Sequence, residues 1–458
     1  MEENKSVMIA PSLLQKYNVP APRYTSYPTV PLWENDLNEK KWTELVKTAY
    51  GNFGDEEGIS LYVHLPYCES LCTYCGCNKR ITNNHSVELP YIQAVLNEWQ
   101  LYLDLLPRQP KLAGLHLGGG TPTFFSPEVL IDLITTIRSS AEVLPQAEFS
   151  FEGHPNNTTL AHLEALHSVG FRRVSYGIQD FDEKVQKTIH RIQPFAKVKE
   201  ATDNARKVGY DSVNFDLIYG LPHQNLKTIA HTFHRVYDLR PDRIAFYSYA
   251  HVPSAFPAQK SFEAFLPQEE EKRALYEKGR ELLMEMGYHE IGMDHFSLPD
   301  DPLFIAKSQQ QLHRNFMGYT TSPSRMLIGL GNSSISDIGT AYAQNLKDID
   351  DYKAQIERKQ FALNKGHVLT QEDEVYKKLI LDIICHDKAE WDRDFYSKLS
   401  AVTVVQLEEM VRDGLLNYDP SGIRISTTGK AFVRNICTVF DQRMQRQSKS
   451  NFVFSKAV

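Results

Sequence analysis

The sequence predicts an α/β protein in which parallel βα units form an open barrel, followed by a mainly helical C-terminal domain. Six β-prone runs between residues 60 and 249 alternate with helical patterns, which is the order expected of parallel βα units. Six units are fewer than the eight that close a full barrel. Beyond residue 285 the alternation stops, and from Thr370 the pattern is helical again.

The β-prone runs are separated by helical patterns and turn residues, and they are Ser60–Leu65, Gly114–Leu117, Glu148–Glu152, Arg173–Ile178, Ser212–Ile218 and Arg243–Tyr249. The helical patterns are Leu89–Leu106, Pro127–Val143, Leu160–Val169, Phe195–Val208, Asn225–Tyr237 and Pro267–Met286. Ser126 as N-cap and Pro127 at the first helical position predict where the second helix begins. Gly170 and Gly209 predict where two other helices end.

Three domains are expected: residues 1–55 as an N-terminal arm with a short helix at Trp42–Tyr50, residues 56–285 as the βα barrel, and residues 286–458 as the C-terminal domain. Several prolines keep the arm extended. A helix at Thr403–Asp413 followed by a hairpin-like run at Gly422–Thr427 predicts a winged-helix-like fold near the C-terminus. A lid or packing role is expected for it, because the chain lacks a basic recognition helix.

Composition excludes several classes of protein. The chain has 458 residues and a formal net charge of −7, which argues against nucleic acid or an anionic membrane as the main partner. No apolar run is long enough to span a bilayer, and Met1–Lys5 begins no signal peptide. Cys385 and Cys437 are isolated in apolar surroundings and are expected to be buried free thiols. These features predict a cytoplasmic protein.

Four of the six cysteines lie within ten positions, on the loop that follows the first β-prone run. Cys68, Cys72 and Cys75 have the spacing C-x3-C-x2-C, and Cys77 follows. Structural zinc usually takes two separated cysteine pairs, and a disulfide framework is typical of small secreted chains. A compact thiolate loop favours an iron–sulfur cluster. Three cysteine ligands would leave one iron of a cubane open to a substrate.

Further candidates stand where the later strands end. The run Gly118–Thr123 follows the second strand, and its glycines allow close approach of the backbone to a ligand. Polar or small residues follow at Glu152, Gln179, Arg191, Asp216 and Ala250. Arg191 is suited to pairing with the carboxylate of a ligand. Each candidate also has a structural alternative. The glycine run could be a plain tight turn, Glu152 a solvated loop acid, and Arg191 a surface charge.

The cysteine spacing resembles that of the radical S-adenosylmethionine (SAM) superfamily. The segments that narrow this resemblance are Lys16–Asn18, Pro22–Pro28, Cys75–Lys79, Gly118–Thr123, Asp216–Pro222, Gly292–Phe296 and Arg434–Cys437. Together they are similar to the oxygen-independent coproporphyrinogen III oxidases of haem biosynthesis, over nearly the whole chain. The fold that the resemblance implies is a partial (β/α)6 barrel of the radical SAM type.

The resemblance implies a 4Fe-4S cluster on Cys68, Cys72 and Cys75, with its fourth iron open to SAM, and two SAM molecules in one site. The positions that match contacts to the cluster-bound SAM are Tyr62, Gly119, Glu152 and Ile335. The positions that match contacts to the second SAM are Tyr74, Gly120, Thr121, Gln179, Arg191, Asp216 and Ala250. Cys77 matches a family cysteine that is not a ligand.

The implied reaction converts two propionate side chains of coproporphyrinogen III to vinyl groups, giving protoporphyrinogen IX. A 5′-deoxyadenosyl radical from SAM abstracts a propionate hydrogen, so no acid–base catalyst is expected among the residues. The chain has no flavin or nicotinamide signature, and an external one-electron donor such as flavodoxin or ferredoxin is therefore expected. No nucleic-acid or membrane partner is expected, and the protein is expected to be a monomer.

Two positions depart from the family pattern. Met317 stands where the family usually has Gln, and a thioether lacks the amide's donors, which puts a polar contact near the second SAM in doubt. Gly153 and His154 follow Glu152 where an apolar residue and Asp are expected, a change expected to affect loop packing and not the role of Glu152.

Three alternatives remain at this point. One is a radical-SAM haem chaperone, but such proteins have an aromatic residue in place of Cys77 and lack the Pro22–Pro28 motif. Another is an anaerobic haem-degrading relative. The third is a zinc-stabilised winged-helix regulator, for which six βα units are a poor scaffold.

Overall fold

The structure is a computed structural model that describes residues 9–446. Predictions that concern residues 1–8, including the lack of a signal peptide at Met1–Lys5, lie outside the described residues. Within the described part of the chain, no helix combines the length and the apolar character that crossing a bilayer requires.

The strands, in chain order, are β1 Ile59–Leu65, β2 Tyr67–Cys68, β3 Arg80–Ile81, β4 Lys111–Gly119, β5 Glu142–Gly153, β6 Arg173–Gln179, β7 Ser212–Tyr219, β8 Arg243–Ser248, β9 His289–Gly292, β10 His295–Ser297, β11 His313–Asn315, β12 Gly318–Thr320, β13 Met326–Leu330, β14 Ile335–Asp337, β15 Ala341–Asn345, β16 Leu363–Val368, β17 Lys388–Glu390, β18 Leu416–Asp419 and β19 Gly422–Ile425. The α-helices are α1 Pro11–Tyr17, α2 Glu39–Ala49, α3 Asp55–Glu57, α4 Glu88–Leu103, α5 Pro127–Ser139, α6 Leu160–Ser168, α7 Glu183–Thr188, α8 Phe195–Val208, α9 Leu226–Leu239, α10 Glu269–Glu285, α11 Pro302–Ser308, α12 Ile349–Glu357, α13 Gln371–His386, α14 Arg393–Ser397, α15 Ala401–Arg412, α16 Val433–Thr438 and α17 Gln442–Arg446. A nine-residue 3-10 helix at Pro257–Phe265 and a π-helical turn at Tyr50–Gly54 also form.

The chain divides by its contacts into two compact units. The barrel unit consists of residues 34–282 and 322–368. The terminal unit consists, within the described residues, of 9–33, 283–321 and 369–446. These units are defined by contacts, and the three consecutive sequence domains stay a prediction.

Six parallel strands of the barrel unit are neighbours in the order β1-β4-β5-β6-β7-β8, as the βα alternation predicts. Their side chains are buried at most positions of both faces, for example in β1 and β6, as expected for strands covered by crossover helices. Glu152 of β5 lies opposite Ser175 of β6, and Gly177 lies opposite Asp216 of β7. The predicted open (β/α)6 fold is confirmed.

A second set of strands extends the sheet beyond β1. β13 pairs in parallel with β1, with Tyr62 opposite Gly329. From β13 the sheet continues as an antiparallel meander through β14, β15 and β16. The sequence did not predict these strands, because they are short and their partner β1 lies more than 260 positions away along the chain.

The predicted helix signals are confirmed at the start of α5 and at the end of α8. Ser126 caps α5 by accepting a hydrogen bond from the Val129 N–H (3.4 Å), and Gly209 ends α8 in the left-handed conformation (φ 106°). However, α5 ends at Ser139, before the predicted Val143. Glu142 and Val143 instead pair with β4 at the start of β5, because ladder hydrogen bonds override the helical pattern there.

The terminal unit has its own apolar core, which includes Tyr17 and Tyr24 from the arm together with Ile383 and Phe440. Its strands form short antiparallel pairs, and β17, β19 and β18 make a three-stranded sheet beside α13 and α15. The winged-helix assignment for this region stays a prediction.

Candidate active site

A cavity of about 410 Å³ opens among the loops that follow the carboxyl ends of the six parallel strands. Its lining includes the predicted site residues Cys68, Cys72, Tyr74, Cys75, Gly119, Gly120, Thr121, Glu152, Gln179, Arg191, Asp216 and Ala250. All of them belong to the barrel unit. The loops gather there because parallel strands present their carboxyl ends at one edge.

The cysteine loop is closed at its base by a short parallel pairing of β2 with β3. The Arg80 N–H donates to Pro66 O (2.9 Å), and the Thr82 N–H donates to Cys68 O (2.9 Å). Inside the loop, the Cys75 N–H donates to Cys72 O (3.2 Å). These hydrogen bonds fix the shape of a short loop. Its three predicted ligand cysteines line the cavity.

Two of the thiols accept hydrogen bonds from neighbouring side chains. The Thr121 hydroxyl donates to Cys68 Sγ (3.3 Å), and Arg191 Nη1 donates to Cys72 Sγ (3.4 Å). A hydrogen bond from Cys77 lowers the pKa of Cys75, whereas burial raises the pKa of Cys68. Among the described residues, no three His, Cys, Asp or Glu side chains are placed to enclose a single metal ion. An all-thiolate donor set at one cavity fits an iron–sulfur cluster.

The glycine run after β4 passes very close to the cysteine loop. The Gly120 N–H donates to Leu65 O (2.8 Å), and a Cβ on Gly120 would lie 2.7 Å from the carbonyl carbon of Pro66. Gly119 has φ 115°, and a Cβ there would lie 2.6 Å from Nδ1 of His64. Only glycine fits the close contact at Gly120 and the positive φ at Gly119. The run therefore exposes backbone polar groups to the cavity.

Polar groups of β4 contact the carboxylate of Glu152, and residues of β1 pack behind them. Gly119 donates its N–H to Glu152 Oε2 (3.2 Å), and His116 Nε2 lies 3.6 Å from Oε1. Burial alone would raise the pKa of Glu152, but His116 and the Gly119 N–H lower it below its usual value. The Tyr62 ring stacks on His116 (6.0 Å between centroids), and its hydroxyl bonds to His64 (3.1 Å).

Arg191 and Asp216 both line the cavity, and each bonds to a residue of β6. Arg191 donates from Nε (3.2 Å) and Nη2 (2.6 Å) to the carbonyl of Gly177. The Ser175 hydroxyl donates to Asp216 Oδ2 (3.2 Å). Burial, followed by the charge of Glu152, raises the pKa of Asp216 to about 7. Gln179 adopts φ 68° where β6 ends.

Two predicted residues are not among those that line the cavity. Tyr62 lies behind it, stacked on His116. Ile335 starts β14, opposite Gln344, and its backbone lies against Gly329. The proposed contact of each with cluster-bound SAM stays a prediction.

Several lining residues carried no signal that sequence reasoning used. Phe256 and Gln259 stand in the segment after β8, whose mixed apolar and polar residues form no recognisable motif. His154 also lines the cavity, and burial followed by the charge of Arg191 lowers its pKa to about 2, which leaves it uncharged. A Cβ on the preceding Gly153 would lie 2.8 Å from the Thr158 hydroxyl, so this departure from the family pattern suits the local packing.

Met317, the other departure, belongs to the terminal unit and is 39% exposed. Its effect on the second SAM stays a prediction.

Residues 62–236 match the Radical SAM superfamily. The chain is 37% identical to the oxygen-independent coproporphyrinogen III oxidase of Escherichia coli, over 96% of both chains. It is 38% identical to the enzyme of the same name from Synechocystis, over 99% of both chains. The solved structure of the Escherichia coli coproporphyrinogen III oxidase, described as a radical SAM enzyme, superposes with a TM-score of 0.88 at 36% identity, covering 94% of this chain and 98% of that one. This chain therefore belongs to the oxygen-independent coproporphyrinogen III oxidases of the radical SAM superfamily.

Proposed function

We propose that this protein oxidatively decarboxylates two propionate side chains of coproporphyrinogen III to vinyl groups, giving protoporphyrinogen IX in haem biosynthesis. The observation that carries the proposal is that three cysteine thiols, a glycine-lined turn, an arginine and two carboxyl groups line one cavity. Each conversion releases carbon dioxide, passes one hydrogen atom of the propionate to the 5′-deoxyadenosyl radical and passes one further electron to an external one-electron acceptor.

Cys68, Cys72 and Cys75 would hold a 4Fe-4S cluster, and the surrounding loops would hold two SAM molecules. When bound, the cluster and SAM supply a 5′-deoxyadenosyl radical that takes a hydrogen atom from the propionate. Arg191 and Thr121 would orient two of the ligand cysteines, because they donate hydrogen bonds to Cys72 Sγ and Cys68 Sγ.

The residues of the cavity bind and orient. Backbone groups of Gly119 and Gly120 offer polar contacts to the methionine part of SAM. Glu152 stays ionised and suits an ammonium or ribose hydroxyl, whereas Arg191 suits a carboxylate. The barrel walls exclude water from a reactive radical.

An external one-electron donor, of the flavodoxin or ferredoxin type, would reduce the cluster. We also propose that the protein works in the cytoplasm, as a monomer, without nucleic-acid or membrane partners.

The test is anaerobic reconstitution with iron and sulfide, followed by assay with SAM, coproporphyrinogen III and a reductant. We expect methionine, 5′-deoxyadenosine and vinyl product to form together. A cluster-loaded sample that gives neither 5′-deoxyadenosine nor vinyl product would contradict the proposal. Haem binding without turnover would instead support a chaperone, and consumption of haem would support a haem-degrading enzyme.

The cysteine assignment makes a separate prediction. Cys72→Ser should lose the visible absorbance of the cluster and the activity together, because a hydroxyl is a poor replacement for a thiolate ligand. Cys77→Ser is the matched control on the same loop, and it should keep the cluster since Cys77 is not a predicted ligand. Equal loss of iron in the two variants would contradict the assignment of three ligands.

A further inference from the structure

The segment after β8 contains a fully buried amide side chain. Gln259 lies in the 3-10 helix Pro257–Phe265, is only 1% exposed and lines the cavity. Burying an amide is costly unless its donors and acceptor are all satisfied. The partners of Gln259 therefore indicate what the side chain is for.

Gln259 joins two loops that are far apart in the sequence. Its Nε2 donates to the carbonyl of Tyr74 (3.0 Å) and to the carbonyl of Ala250 (3.4 Å). Its Oε1 accepts a hydrogen bond from the N–H of Val252 (2.6 Å). Both amide hydrogens and the amide oxygen are thus used. One side chain fixes the distance between the cysteine loop and the loop after β8.

The helix that carries Gln259 is itself anchored. Phe262, three residues later, is buried in an apolar cluster with Val185, Leu221 and Tyr249, against which the Tyr74 side chain also packs. Rotation of the helix would remove Phe262 from this cluster. The amide of Gln259 is therefore presented to the two loops from a fixed support.

A second contact restrains the position of the cysteine loop. The Phe256 ring lies so close to Gly76 that a Cβ on Gly76 would be 3.0 Å from the ring. The Gln259 N–H in turn donates to Phe256 O (3.0 Å), which ties the two residues together. The cysteine loop is thus held at Tyr74 by a hydrogen bond and at Gly76 by a ring.

We propose that Gln259 is a positioning residue for the second SAM site, which it forms by fixing Tyr74 and Ala250 at the correct separation. The inference rests on the proposed function, in which both residues contact that SAM. Because Tyr74 lies between Cys72 and Cys75, the same hydrogen bond joins the second site to the cluster loop. A loss of the amide therefore loosens the second SAM site first.

The test separates the two SAM molecules. Total SAM bound to the anaerobically reconstituted protein is measured by equilibrium filtration with radiolabelled SAM. The SAM at the cluster is followed independently, through the change that it causes in the electron paramagnetic resonance spectrum of the reduced cluster. Wild type should bind two equivalents.

Gln259→Met keeps the volume of the side chain and removes the amide. We expect iron and sulfide content and the spectral titration with SAM to match wild type, while affinity for the second equivalent falls at least about tenfold, or about 1.4 kcal/mol. Ser261→Ala on the same helix, whose exposed hydroxyl donates to Ala258 O (2.8 Å), is the matched control. Tyr210→Phe, which loses a buried bond to Leu163 O (3.0 Å) before β7, controls for general destabilisation.

Gln259→Glu provides a pH-dependent rescue that a purely steric role would not show. A protonated carboxyl can donate to Tyr74 O and accept from the Val252 N–H, whereas an ionised one faces two carbonyl oxygens and repels them. Affinity of this variant for the second SAM should therefore approach that of wild type at low pH and fall as pH rises, relative to wild type at each pH.

The inference is overturned if a folded, cluster-loaded Gln259→Met binds both equivalents like wild type, or weakens both equally. If Gln259→Met fails to fold, the glutamate series decides, and a pH profile parallel to that of wild type overturns the inference. A wild type that binds two equivalents but makes no vinyl product would instead refute the proposed reaction and leave the role of Gln259 in place.

Discussion

Glu152 and Asp216 bring two carboxyl groups to one cavity, and their surroundings give them different charges. Glu152 has His116 and the Gly119 N–H as partners, which hold its pKa below the usual value despite burial. Asp216 accepts a hydrogen bond from the Ser175 hydroxyl, and burial and the charge of Glu152 raise its pKa to about 7. Near neutral pH, Glu152 is ionised and Asp216 is about half protonated.

Asp216 makes SAM binding depend on pH. SAM carries a sulfonium and an ammonium group, so it should bind more tightly to an ionised Asp216 than to a neutral one. Below pH 7 the carboxyl is protonated, and affinity for the second SAM should therefore rise as pH increases through about 7. Equilibrium binding of radiolabelled SAM to the cluster-loaded protein at pH 6, 7 and 8 checks this.

Asp216→Asn, which keeps the shape without the charge, should bind the second SAM with a weaker and nearly constant affinity over that range. A rise of the same size in the variant would assign the pH dependence to another group.

At the scale of single residues, the sequence predicts a site whose residues are close together in the chain. Cys68, Cys72 and Cys75 are close in the chain, so their shared chemistry is visible without a fold. Gln259 was not predictable, because its role depends on reaching Tyr74, 185 positions away in the sequence. Nothing in its local sequence distinguishes it from an exposed glutamine.

The loop after β13 shows how one element positions another. Glu98 of α4 is fully buried and accepts hydrogen bonds from the Gly331 N–H (2.7 Å), Asn345 Nδ2 (2.6 Å) and the Tyr352 hydroxyl (2.7 Å). The adjacent Asn332 donates to Asn78 Oδ1 on the cysteine loop (3.0 Å). Helix α4 thus holds the loop that precedes Ile335 and, through it, one end of the cysteine loop.

Glu98→Gln tests this support. An amide presents a donor to groups that are already donors, and the lost bonds should reduce the free energy of unfolding by about 2 kcal/mol. Burial raises the pKa of Glu98 from 4.5 to about 7, so the folded state binds the proton more tightly than the unfolded state. Its contribution to stability is therefore largest below pH 4.5 and falls as pH rises to about 7.

The free energy of unfolding of wild type minus that of Glu98→Gln should accordingly decrease from pH 4.5 to about pH 7 and then stay level. Urea unfolding of both proteins over this range measures the difference. Glu44→Gln, an exposed change on α2, should alter stability by less than about 0.5 kcal/mol. A difference between wild type and Glu98→Gln that grows with pH would contradict the assignment.

Elements with strong local periodicity were predictable, and those defined by distant partners were not. Helix α8 has the predicted bounds, Phe195–Val208, because an amphipathic pattern and a terminal glycine agree there. The predicted end of α5 is wrong, because Glu142 and Val143 find a strand partner in β4. Strands β13 to β16 lack both a long apolar run and a regular spacing, so no local signal marked them.

At the scale of the whole molecule, the two ends of the chain build one compact unit. The carbonyl of Tyr17 accepts a hydrogen bond from Asn435 Nδ2 (2.9 Å), and the Tyr24 hydroxyl donates to Asp441 Oδ2 (3.1 Å). Buried Arg434 donates from Nε to Pro22 O (3.2 Å). The sequence predicted an arm and a separate C-terminal domain, since contacts between residues more than 400 positions apart leave no local pattern.

Asn435→Ala tests whether the arm stabilises this unit. The change leaves the Tyr17 carbonyl without that donor in a buried setting, which should cost about 1–3 kcal/mol. Hydrogen exchange should therefore accelerate in α1 and α16 of the terminal unit, while β1 of the barrel unit keeps the wild-type rate. Because α1 is held to the unit through contacts with the C-terminal segment, its amides should respond more than those of α13, whose Leu379, Ile380 and Ile383 are themselves buried in the core. Asn417→Ala, an exposed change in the same unit, is the control and should leave these exchange rates unaltered. Equal acceleration of exchange in both variants would show that the arm contributes no stability through Asn435.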